Sequence, residues 1–577
     1  MALPYQVVSA GRLEQAYAAE LKRLRAEKAV ERLWAKDTTL WPTDESHAES
    51  IENRLGWIGL PDRMRQEAAE IEVFTAEVED AGLRDIVLVG TGESTLAAEV
   101  FTKTFPAPEG RRLFLLDSTD PDTIRTLSRE LELERTLFLV ASKSGKAIET
   151  ISQFLYFLDL AKTAGIGPPG PHFAGITDEG TFLSRLGPPY GFRRMFLEAQ
   201  DIGGRYSALS YFGLVPAALW GVSLEPVLDR SIEMREACGP DAKGPNPAGE
   251  LAALLATAEV QGHDRLVLLA TPSLVPLSHW IEQLVAGSLG KERRGIVPVA
   301  GEVPLTLPAY EEGCIVAVLR QQIEDAAAIT DAARELNARG APVVDIKLAS
   351  PHDLGAEFFR WEAAAALAAA MLGVNPFDEP DEQESRERTL RMLDELGKKG
   401  ALPSATVRLS EAGISLYAEG RTRQEISTLR LADALQTFFE LRRKEGYLAL
   451  LAFIEWNVEN YQMLGRIRAR LTEALGIPVL LECGPRYLHS LGQLLKAGPP
   501  TGMYLIITAA HQEDVAVPGA PYSFGQLLMA QALGDLESLQ RRDKLVLRLH
   551  LQDGAAKGLA HLVPAVEQAA VKVRARG

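Results

Sequence analysis

The chain has 577 residues, of which 46 % are hydrophobic and 24 % charged, and its formal net charge is −17. A chain of this length exceeds what one hydrophobic core supports, so we expect several packed units. The acidic balance argues against nucleic acid or an anionic membrane as a partner, and an anionic ligand would need a local binding site.

The cysteines and the amino-terminal stretch indicate a reducing compartment. Cys238, Cys314 and Cys483 are widely spaced and odd in number, so they predict neither a disulfide framework nor a metal site. The first residues lack the apolar core of a signal peptide, and no stretch approaches the roughly 20 apolar residues that cross a bilayer. We therefore expect a cytoplasmic protein without a membrane anchor.

Residues 1–80 are predicted to be helical, because apolar positions recur at helical spacing in LEQAYAAELKRLRAEKAVERLW. From residue 85 onward, short apolar runs alternate with amphipathic stretches, a pattern typical of buried parallel strands and their covering helices. This alternation predicts doubly wound parallel sheets with helices on both faces. The predicted strands span residues 85–90, 112–118, 136–141, 172–178, 265–270, 314–319, 342–348, 447–453, 478–483, 503–509 and 545–551.

These elements divide into four predicted regions. They are a helical segment at 1–80, a first α/β domain at 81–235, a second at 236–400, and a carboxyl-terminal α/β region at 401–577. An alanine-rich helix, 357–373, is followed by the polar and turn-rich NPFDEPDEQESRERT. The first two strand series resemble a loose duplication.

Two loops follow predicted strands and suit a ligand, because ligands in open parallel sheets bind at the carboxyl ends of strands, often against helix N-termini. The first is GTGEST, residues 90–95, although a G-x-G sequence also marks a simple tight turn. The second is SKSGKAIET, residues 142–150, whose hydroxyls and open amides suit a phosphate group. This loop contains Ser142, Ser144 and Thr150, the amides around Gly145, and the cations Lys143 and Lys146. The alternative is a well-capped helix with solvated lysines, in which Thr150 bonds to its own backbone.

Nine segments, in order, resemble the successive motifs of the glucose-6-phosphate isomerase family. They include VLVGTGESTLAAEVFTKTF, LFLLDSTDPDTIR, LFLVASKSGKAIET, DIGGRYSALSYFGL, WIEQLVAGSLGKERRGIVPV, VNPFDEPDEQESR and GPRYLHSLGQLLKAGPPTG. The resemblance covers residues 30–555 and is strongest to the isomerase half of bifunctional transaldolase/glucose-6-phosphate isomerase proteins. It implies two sugar-isomerase (SIS-type) domains, 81–235 and 236–400, plus extra α/β segments. Because 577 residues leave no room for a transaldolase, the resemblance suggests a separate transaldolase as a partner.

The resemblance also implies an activity and a set of site residues. The activity is interconversion of glucose 6-phosphate and fructose 6-phosphate through an enediolate, by a homodimer that needs no metal or redox cofactor. Arg205 in GGRYS matches the arginine that stabilises the enediolate, and His489 in LHSLGQ matches the histidine that opens the sugar ring. Their alternatives are a surface ion pair and a structural histidine. Lys143 and Arg386 complete the implied catalytic set, and the implied substrate-binding residues are Gly92, Glu93, Ser94, Ser142, Ser144, Thr150 and Gln493.

The sequence departs from the family where the proton-transferring base should stand. The family motif reads ESxGK, whereas this chain reads AGSLGK, so Gly287 takes the place of the glutamate. Glu282 and Glu292 each lie five residues away, which is roughly 140° around a helix axis, so neither shares that face. The other departures are Glu93 in the glycine loop, Lys146 and Ala147 in the phosphate loop, and Glu379 and Arg386 after NPFD.

Three hypotheses stay open. An active isomerase would use a displaced base, Glu357 or Glu93, although Glu93 could instead cap its own helix. A protein that has lost the isomerase step would serve as a sugar-phosphate-binding sensor or partner subunit, and Gly287 favours this hypothesis. The third hypothesis is an enzyme for another acidic sugar. We take the isomerase as the leading assignment, because losing one acid–base group costs about 10²–10⁴-fold and leaves activity measurable.

Overall fold

The computed structural model describes residues 3–42, 45–301, 313–403, 405–428 and 430–575. The fold is α/β, as predicted, and the strands within these ranges form three sheets. The strands are β1 (Tyr5–Ser9), β2 (Asp85–Val89), β3 (Arg112–Leu116), β4 (Thr136–Ala141), β5 (Phe173–Asp178), β6 (Arg194–Glu198), β7 (Arg265–Ala270), β8 (Val297–Val299), β9 (Cys314–Gln321), β10 (Val343–Leu348), β11 (Leu409–Glu411), β12 (Ile414–Ala418), β13 (Tyr447–Phe453), β14 (Val479–Cys483), β15 (Gly502–Ala509) and β16 (Leu545–Leu551).

In the described ranges, helices lie between most consecutive strands. They are α1 (Glu14–Ala26), α2 (Ala29–Trp34), α3 (Glu45–Glu52), α4 (Leu60–Asp80), α5 (Leu96–Thr104), α6 (Pro121–Glu130), α7 (Ile148–Thr163), α8 (Phe182–Tyr190), α9 (Tyr211–Leu219), α10 (Leu224–Cys238), α11 (Pro247–Val260), α12 (Val275–Leu289), α13 (Ala327–Ala338), α14 (Leu354–Leu372), α15 (Pro380–Lys399), α16 (Gly420–Glu425), α17 (Leu431–Glu440), α18 (Val458–Leu475), α19 (Gly492–Ala497), α20 (Phe524–Arg541) and α21 (Ala555–Arg574). Within the described ranges, no helix is long and apolar enough to cross a membrane.

The three sheets differ in strand direction. The sheet β3-β2-β4-β5-β6 is parallel throughout, and its central strands β2 and β4 are fully buried. The sheet β1-β10-β9-β7-β8 is parallel except for β1, which pairs antiparallel with β10. In the sheet β11-β12-β16-β15-β13-β14, the pairs β11–β12 and β12–β16 are antiparallel. The prediction of parallel sheets therefore holds for the sheet centres and is wrong at these two edges.

Every predicted strand is present, with bounds that agree within two residues. The sequence patterns miss β1, β6, β8, β11 and β12, of which all except β12 are edge strands. An edge strand is covered less completely than a central one and needs no continuous apolar run, so it gives a weak sequence signal. Within residues 3–42 and 45–80, β1 is the one strand and the other described elements are helices.

The described chain divides into two compact units, each with its own hydrophobic core. The first unit comprises residues 3–117, 131–301 and 313–378 and contains both five-stranded sheets. The second comprises residues 118–130, 379–403, 405–428 and 430–575 and contains the six-stranded sheet. Helix α6 belongs to the second unit although β3 and β4, which flank it in sequence, belong to the first.

Candidate active site

The two ligand-binding loops predicted from the sequence leave the same edge of one sheet. Strands β2 and β4 are parallel neighbours, with Val89 opposite Val140, so the loops 90–95 and 142–150 start side by side. A Cβ atom on Gly90 would lie 3.0 Å from the Ala141 carbonyl oxygen. The two loops therefore approach at backbone distance, which favours glycine at this position.

The loop 142–150 has the features of an anion site. Gly145 has φ +63°, and a Cβ there would lie 2.7 Å from Thr181 Oγ1, so glycine is required. Helix α7 begins directly after Ala147, which has no polar side chain to cap it. Ser142 is buried and Ser144 is exposed. Thr150 is fully buried, and its hydroxyl has no hydrogen-bond partner among the described residues, so it does not bond to its own backbone.

The structure pairs Lys143 with a carboxylate and does not leave it solvated. Its Nζ donates to both carboxylate oxygens of Asp178, at 2.7 and 2.8 Å, and both side chains are largely buried. Burial raises the pKa of Asp178 above its usual value even though the Lys143 charge acts to lower it. Lys143 is therefore engaged within the sheet edge, while Lys146 is exposed.

The sequence patterns did not single out Arg54, which supplies another cation beside this edge. Its Nη1 donates to the carbonyl oxygen of Gln200 at 3.2 Å, and its Cδ would lie 3.4 Å from a Cβ on Gly203. The charge of Arg54 also acts on the Asp178 carboxylate. Helix α4 separates Arg54 from β2 in the sequence. Because Arg54 does not follow a strand of this sheet, no local pattern marks it as a residue of the sheet edge.

The glycine loop reaches from the phosphate loop to the GGRYS turn. Gly92 is buried with φ +51°, and Ser94 is buried beside it. Glu93 is half-buried, and its carboxylate lies so close to Gly204 that any side chain on Gly204 would overlap it. The N-cap position of α5 belongs to Thr95, so Glu93 is not the cap residue of that helix.

Arg205 is almost fully buried, with 5 % of its surface exposed. Its Nη2 donates to the carbonyl oxygen of Pro376 at 2.9 Å and lies 3.4 Å from that of Asp378. The side chain passes over Gly287 on α12, where a Cβ would lie 2.5 Å from Arg205 Cδ and 2.7 Å from its Nε. Arg205 is therefore not a surface ion pair, and its side chain fills the space beside Gly287.

Lys291 binds the same turn as Arg205. Its Nζ donates to the Asp378 carbonyl oxygen at 2.7 Å and also to the Asn375 carbonyl and the Asp378 carboxylate. Carbonyl oxygens are the acceptors that a buried ammonium group requires. The lysine of AGSLGK and the arginine of GGRYS thus hold the NPFD turn together. No sequence pattern indicates this role for Lys291.

Other carboxylates near α12 and α14 are engaged or enclosed. Glu282 accepts from the Ala300 amide at 3.2 Å and lies 3.2 Å from His279 Nδ1. Glu357 is fully buried 3.3 Å from Arg360, and burial raises its pKa to about 7 despite that cation. Burial also raises the pKa of Glu362 well above its usual value, against a backbone hydrogen bond from Ala208 that lowers it.

The remaining predicted site residues belong to the second unit. His489 is half-buried at the end of a 3₁₀ turn, Arg486–His489. Gln493 is buried and holds Asp381, accepting from its amide at 3.1 Å and donating to its carboxylate at 2.7 Å. Arg386 is exposed on α15.

A buried ion pair that the sequence did not predict lies next to the His489 turn. Lys496 and Asp535 are fully buried and 2.7 Å apart, and the Tyr487 hydroxyl donates to Asp535 at 2.6 Å. Tyr487 is part of the His489 turn, Lys496 lies on α19 and Asp535 on α20. These contacts therefore attach the turn to both helices.

Comparison with known proteins gives matches to one family. The phosphoglucose isomerase family model matches residues 60–229. A glucose-6-phosphate isomerase from Carboxydothermus hydrogenoformans is 31 % identical over 265 residues, which cover 44 % of this chain and 57 % of that protein. A probable glucose-6-phosphate isomerase from Natronomonas pharaonis is 30 % identical over 329 residues, covering 51 % of this chain and 76 % of that protein. The chain belongs to the phosphoglucose isomerase family.

Structural comparison supports the fold of this phosphoglucose isomerase family member. A crystal structure of a glucose-6-phosphate isomerase from Chlamydia trachomatis matches with a TM-score of 0.54 at 17 % identity, covering 68 % of this chain and 89 % of that one. The chain spans only about half of the length of the first curated relatives that it matches, 57 % and 50 %.

Proposed function

We propose that this protein interconverts glucose 6-phosphate and fructose 6-phosphate. The observation that carries the proposal is the Thr150 hydroxyl, which is fully buried in the first turn of α7 and has no hydrogen-bond partner among the described residues. A buried hydroxyl without a partner costs about 1–3 kcal/mol. A phosphate oxygen would satisfy it, and the first amides of α7 and the helix dipole favour the same anion.

The remaining contacts extend this phosphate site toward a place for the sugar. The glycine loop lies against Ala141 at one end, through Gly90, and against Gly204 at the other, through Glu93. A sugar phosphate held at α7 would therefore extend along this loop toward Arg205. The guanidinium there is suited to oppose the negative charge of an enediolate, and its low exposure strengthens that interaction.

The chemistry needs few groups beyond these. Residues at the start of α7 hold the phosphate, the loops fix the open-chain sugar, and Arg205 stabilises the oxygens at C1 and C2 as charge develops. The roles of His489, Gln493 and Arg386 stay predictions from the family resemblance, and the proposal rests on the first unit.

Two measurements test this proposal together. Purified protein should convert fructose 6-phosphate to glucose 6-phosphate in an assay coupled to glucose-6-phosphate dehydrogenase. Calorimetric titration should give micromolar to millimolar affinity for glucose 6-phosphate and much weaker binding of glucose. Equal affinity for glucose 6-phosphate and glucose would contradict the proposed phosphate site. Tight binding of glucose 6-phosphate without any turnover would contradict the proposed isomerase activity.

A second candidate function, binding of the sugar phosphate without catalysis, is favoured by the residue at position 287. Gly287 offers no carboxylate, and Arg205 occupies the space beside it. A protein of this kind that binds glucose 6-phosphate without turnover would be a sensor or partner subunit. Binding of the sugar phosphate with no conversion, after prolonged incubation at high protein concentration, would favour this function. Turnover of a different acidic sugar phosphate would instead favour the third hypothesis.

Assembly and location are further parts of the proposal. The family resemblance supports a homodimer, which light scattering at micromolar concentration tests against the 62.8 kDa chain mass. A separate transaldolase as partner stays a prediction from the resemblance. The three cysteines are buried thiols, and this supports a cytoplasmic location for an enzyme of sugar phosphates.

A further inference from the structure

We propose that Glu93 is the general base that moves the proton between C1 and C2 of the sugar phosphate. The proposal rests on the isomerase function proposed above and names the group that would replace the carboxylate missing at Gly287. It chooses between the two displaced bases that the sequence left open, Glu93 and Glu357.

The position of Glu93 is set by its contact with the GGRYS turn. Its carboxylate lies directly against Gly204, the residue before Arg205, and only a glycine leaves room for it there. Arg205 in turn passes over Gly287. Glu93 therefore brings a carboxylate to the neighbourhood of the two residues that define the family's proton-transfer site.

The exposure of Glu93 suits a base. The side chain is half-buried, so a ligand can reach it, and it stands in a loop that follows β2 at the sheet edge. Gly92, with φ +51°, makes the turn that presents the next residue. The Glu93 carboxylate stands in this loop and is not enclosed in the core.

The alternative carboxylates are less suited to contact a substrate. Glu357 and Glu362 are fully buried, and Glu357 is next to the equally buried Arg360. Glu282 is buried and bonded to the Ala300 amide. Asp378 is bound by Lys291 through both its carbonyl and its carboxylate.

The proton transfer balances without any co-reactant. The Glu93 carboxylate takes the proton from C2 of open-chain glucose 6-phosphate, the C2–H electron pair forms the C1–C2 double bond, and the carbonyl electron pair moves to O1. Arg205 opposes the negative charge of this enediolate. Glu93 then returns the proton to C1 while the hydroxyl proton of O2 passes to O1. C1 is reduced and C2 oxidised, and the product is fructose 6-phosphate.

The decisive variant is Glu93→Gln, which keeps the shape of the side chain and removes its ability to accept a proton. Turnover should fall by about 100- to 10,000-fold, the usual contribution of a general base. Affinity for glucose 6-phosphate should be unchanged or higher, because the variant removes a negative charge near an anionic ligand. Glu99→Gln, on the helix that follows the loop, is the matched control and should keep wild-type turnover, since Glu99 is another half-buried glutamate nearby.

Isotope exchange gives a readout that a structural role would not change. In D₂O, wild-type protein should introduce deuterium at C2 of glucose 6-phosphate, and Glu93→Gln should lose this exchange in parallel with turnover. Glu93→Asp, which keeps the acid and shortens its reach, should be faster than Glu93→Gln, and it serves as the second variant if the glutamine form does not fold. Equal rates for these two variants would overturn the proposal.

The failure of this inference can be told apart from failure of the proposed function. If wild type isomerises and exchanges deuterium, and Glu93→Gln does so at the same rate, Glu93 is not the base but the isomerase function stands. If Glu93→Gln loses binding together with turnover, Glu93 has a structural role and the inference is again wrong. If wild type binds glucose 6-phosphate but shows neither conversion nor exchange, the isomerase function itself fails.

Discussion

Arg205 lies over Gly287 so closely that the two positions depend on each other. A Cβ at Gly287 would lie 2.5 Å from Arg205 Cδ and 3.0 Å from its Cζ, and real Cβ contacts are essentially never shorter than 3.0 Å. The same arginine binds the carbonyl oxygen of Pro376. The lack of a side chain at Gly287 and the buried placement of Arg205 are therefore one structural arrangement.

Gly287→Ala should destabilise the protein and lower its turnover. The new methyl group would displace Arg205, and overpacking of this kind costs about 1–3 kcal/mol, more than the gain of up to ~1 kcal/mol from replacing a helical glycine. Denaturant unfolding and the isomerase assay measure both effects. Gly465→Ala in α18 is the control, because a Cβ there meets nothing within 4 Å and the change should only stabilise the helix. Stabilisation by Gly287→Ala with unchanged turnover would mean that Arg205 moves without cost.

Thr150→Val should weaken binding of glucose 6-phosphate by about 1.5–3 kcal/mol, the usual value of a hydrogen bond to a charged group. The free energy of unfolding should stay the same or rise, because the buried hydroxyl has no partner to lose among the described residues. Calorimetry with glucose 6-phosphate and thermal unfolding test the two parts. Thr102→Val is the matched control, since the Thr102 hydroxyl already donates to the Glu99 carbonyl oxygen. Unchanged affinity for the sugar phosphate in Thr150→Val would contradict the phosphate site.

Lys143→Met should reduce stability far more than it reduces binding. Removing one partner from a largely buried ion pair leaves Asp178 uncompensated and costs roughly 3–5 kcal/mol. Asp178→Asn should cost less, because burial already raises the pKa of Asp178 and its charged form is unfavourable. Chemical unfolding of both variants and of their combination checks the order. A stable Lys143→Met protein with at least tenfold weaker sugar-phosphate binding would restore Lys143 to the phosphate site.

His511 in the second unit should make stability depend on pH. Burial alone would lower its pKa, but the hydrogen bond with Asp122 and the charges of Asp120, Asp122 and Asp514 outweigh this and hold the pKa above 6.5. Because the folded pKa exceeds the unfolded value, the stabilisation is complete below pH 6.5 and is lost as pH rises through the folded pKa. Unfolding measured from pH 6 upward should show this decline in wild type.

Two variants test the assignment of this pH dependence. His511→Gln should remove the decline, and Asp122→Asn should move the His511 titration, followed by NMR, to lower pH. An unchanged stability profile in His511→Gln would assign the pH dependence to other groups.

The sequence predicted strands and helices that have a clear local pattern of apolar residues. It did not predict features that depend on contacts between residues far apart in the chain. The runs 86–89 and 137–141 are continuous and apolar, so they predicted β2 and β4 directly. The strand Arg194–Glu198 lies at a sheet edge and has only two buried residues, Phe196 and Glu198, so it gave no such signal. The same difference between local patterns and long-range contacts applies to the site residues.

The roles that depend on a local motif were easier to predict than those that depend on a partner. Gly145 and Thr150 came from the loop sequence, whereas the pairing of Lys143 with Asp178 joins two different strand ends. The contact of Glu93 with Gly204 likewise joins loops after β2 and β6. No pattern in a single sequence reports such a contact.

Strand β1 has a consequence for how the chain is made. Tyr5 pairs with Lys347 and Ser9 with Val343, so β1 is paired only after nearly all of the first unit has been synthesised. The buried guanidinium of Arg360 also depends on this segment for hydrogen bonds, because it donates to the Pro4 carbonyl oxygen and the Gln6 side chain. Long-range pairing of this kind slows folding and leaves strand edges exposed to aggregation in the meantime. Substitutions or deletions in Tyr5–Ser9 should therefore lower the yield of folded protein before they affect any property of the folded chain.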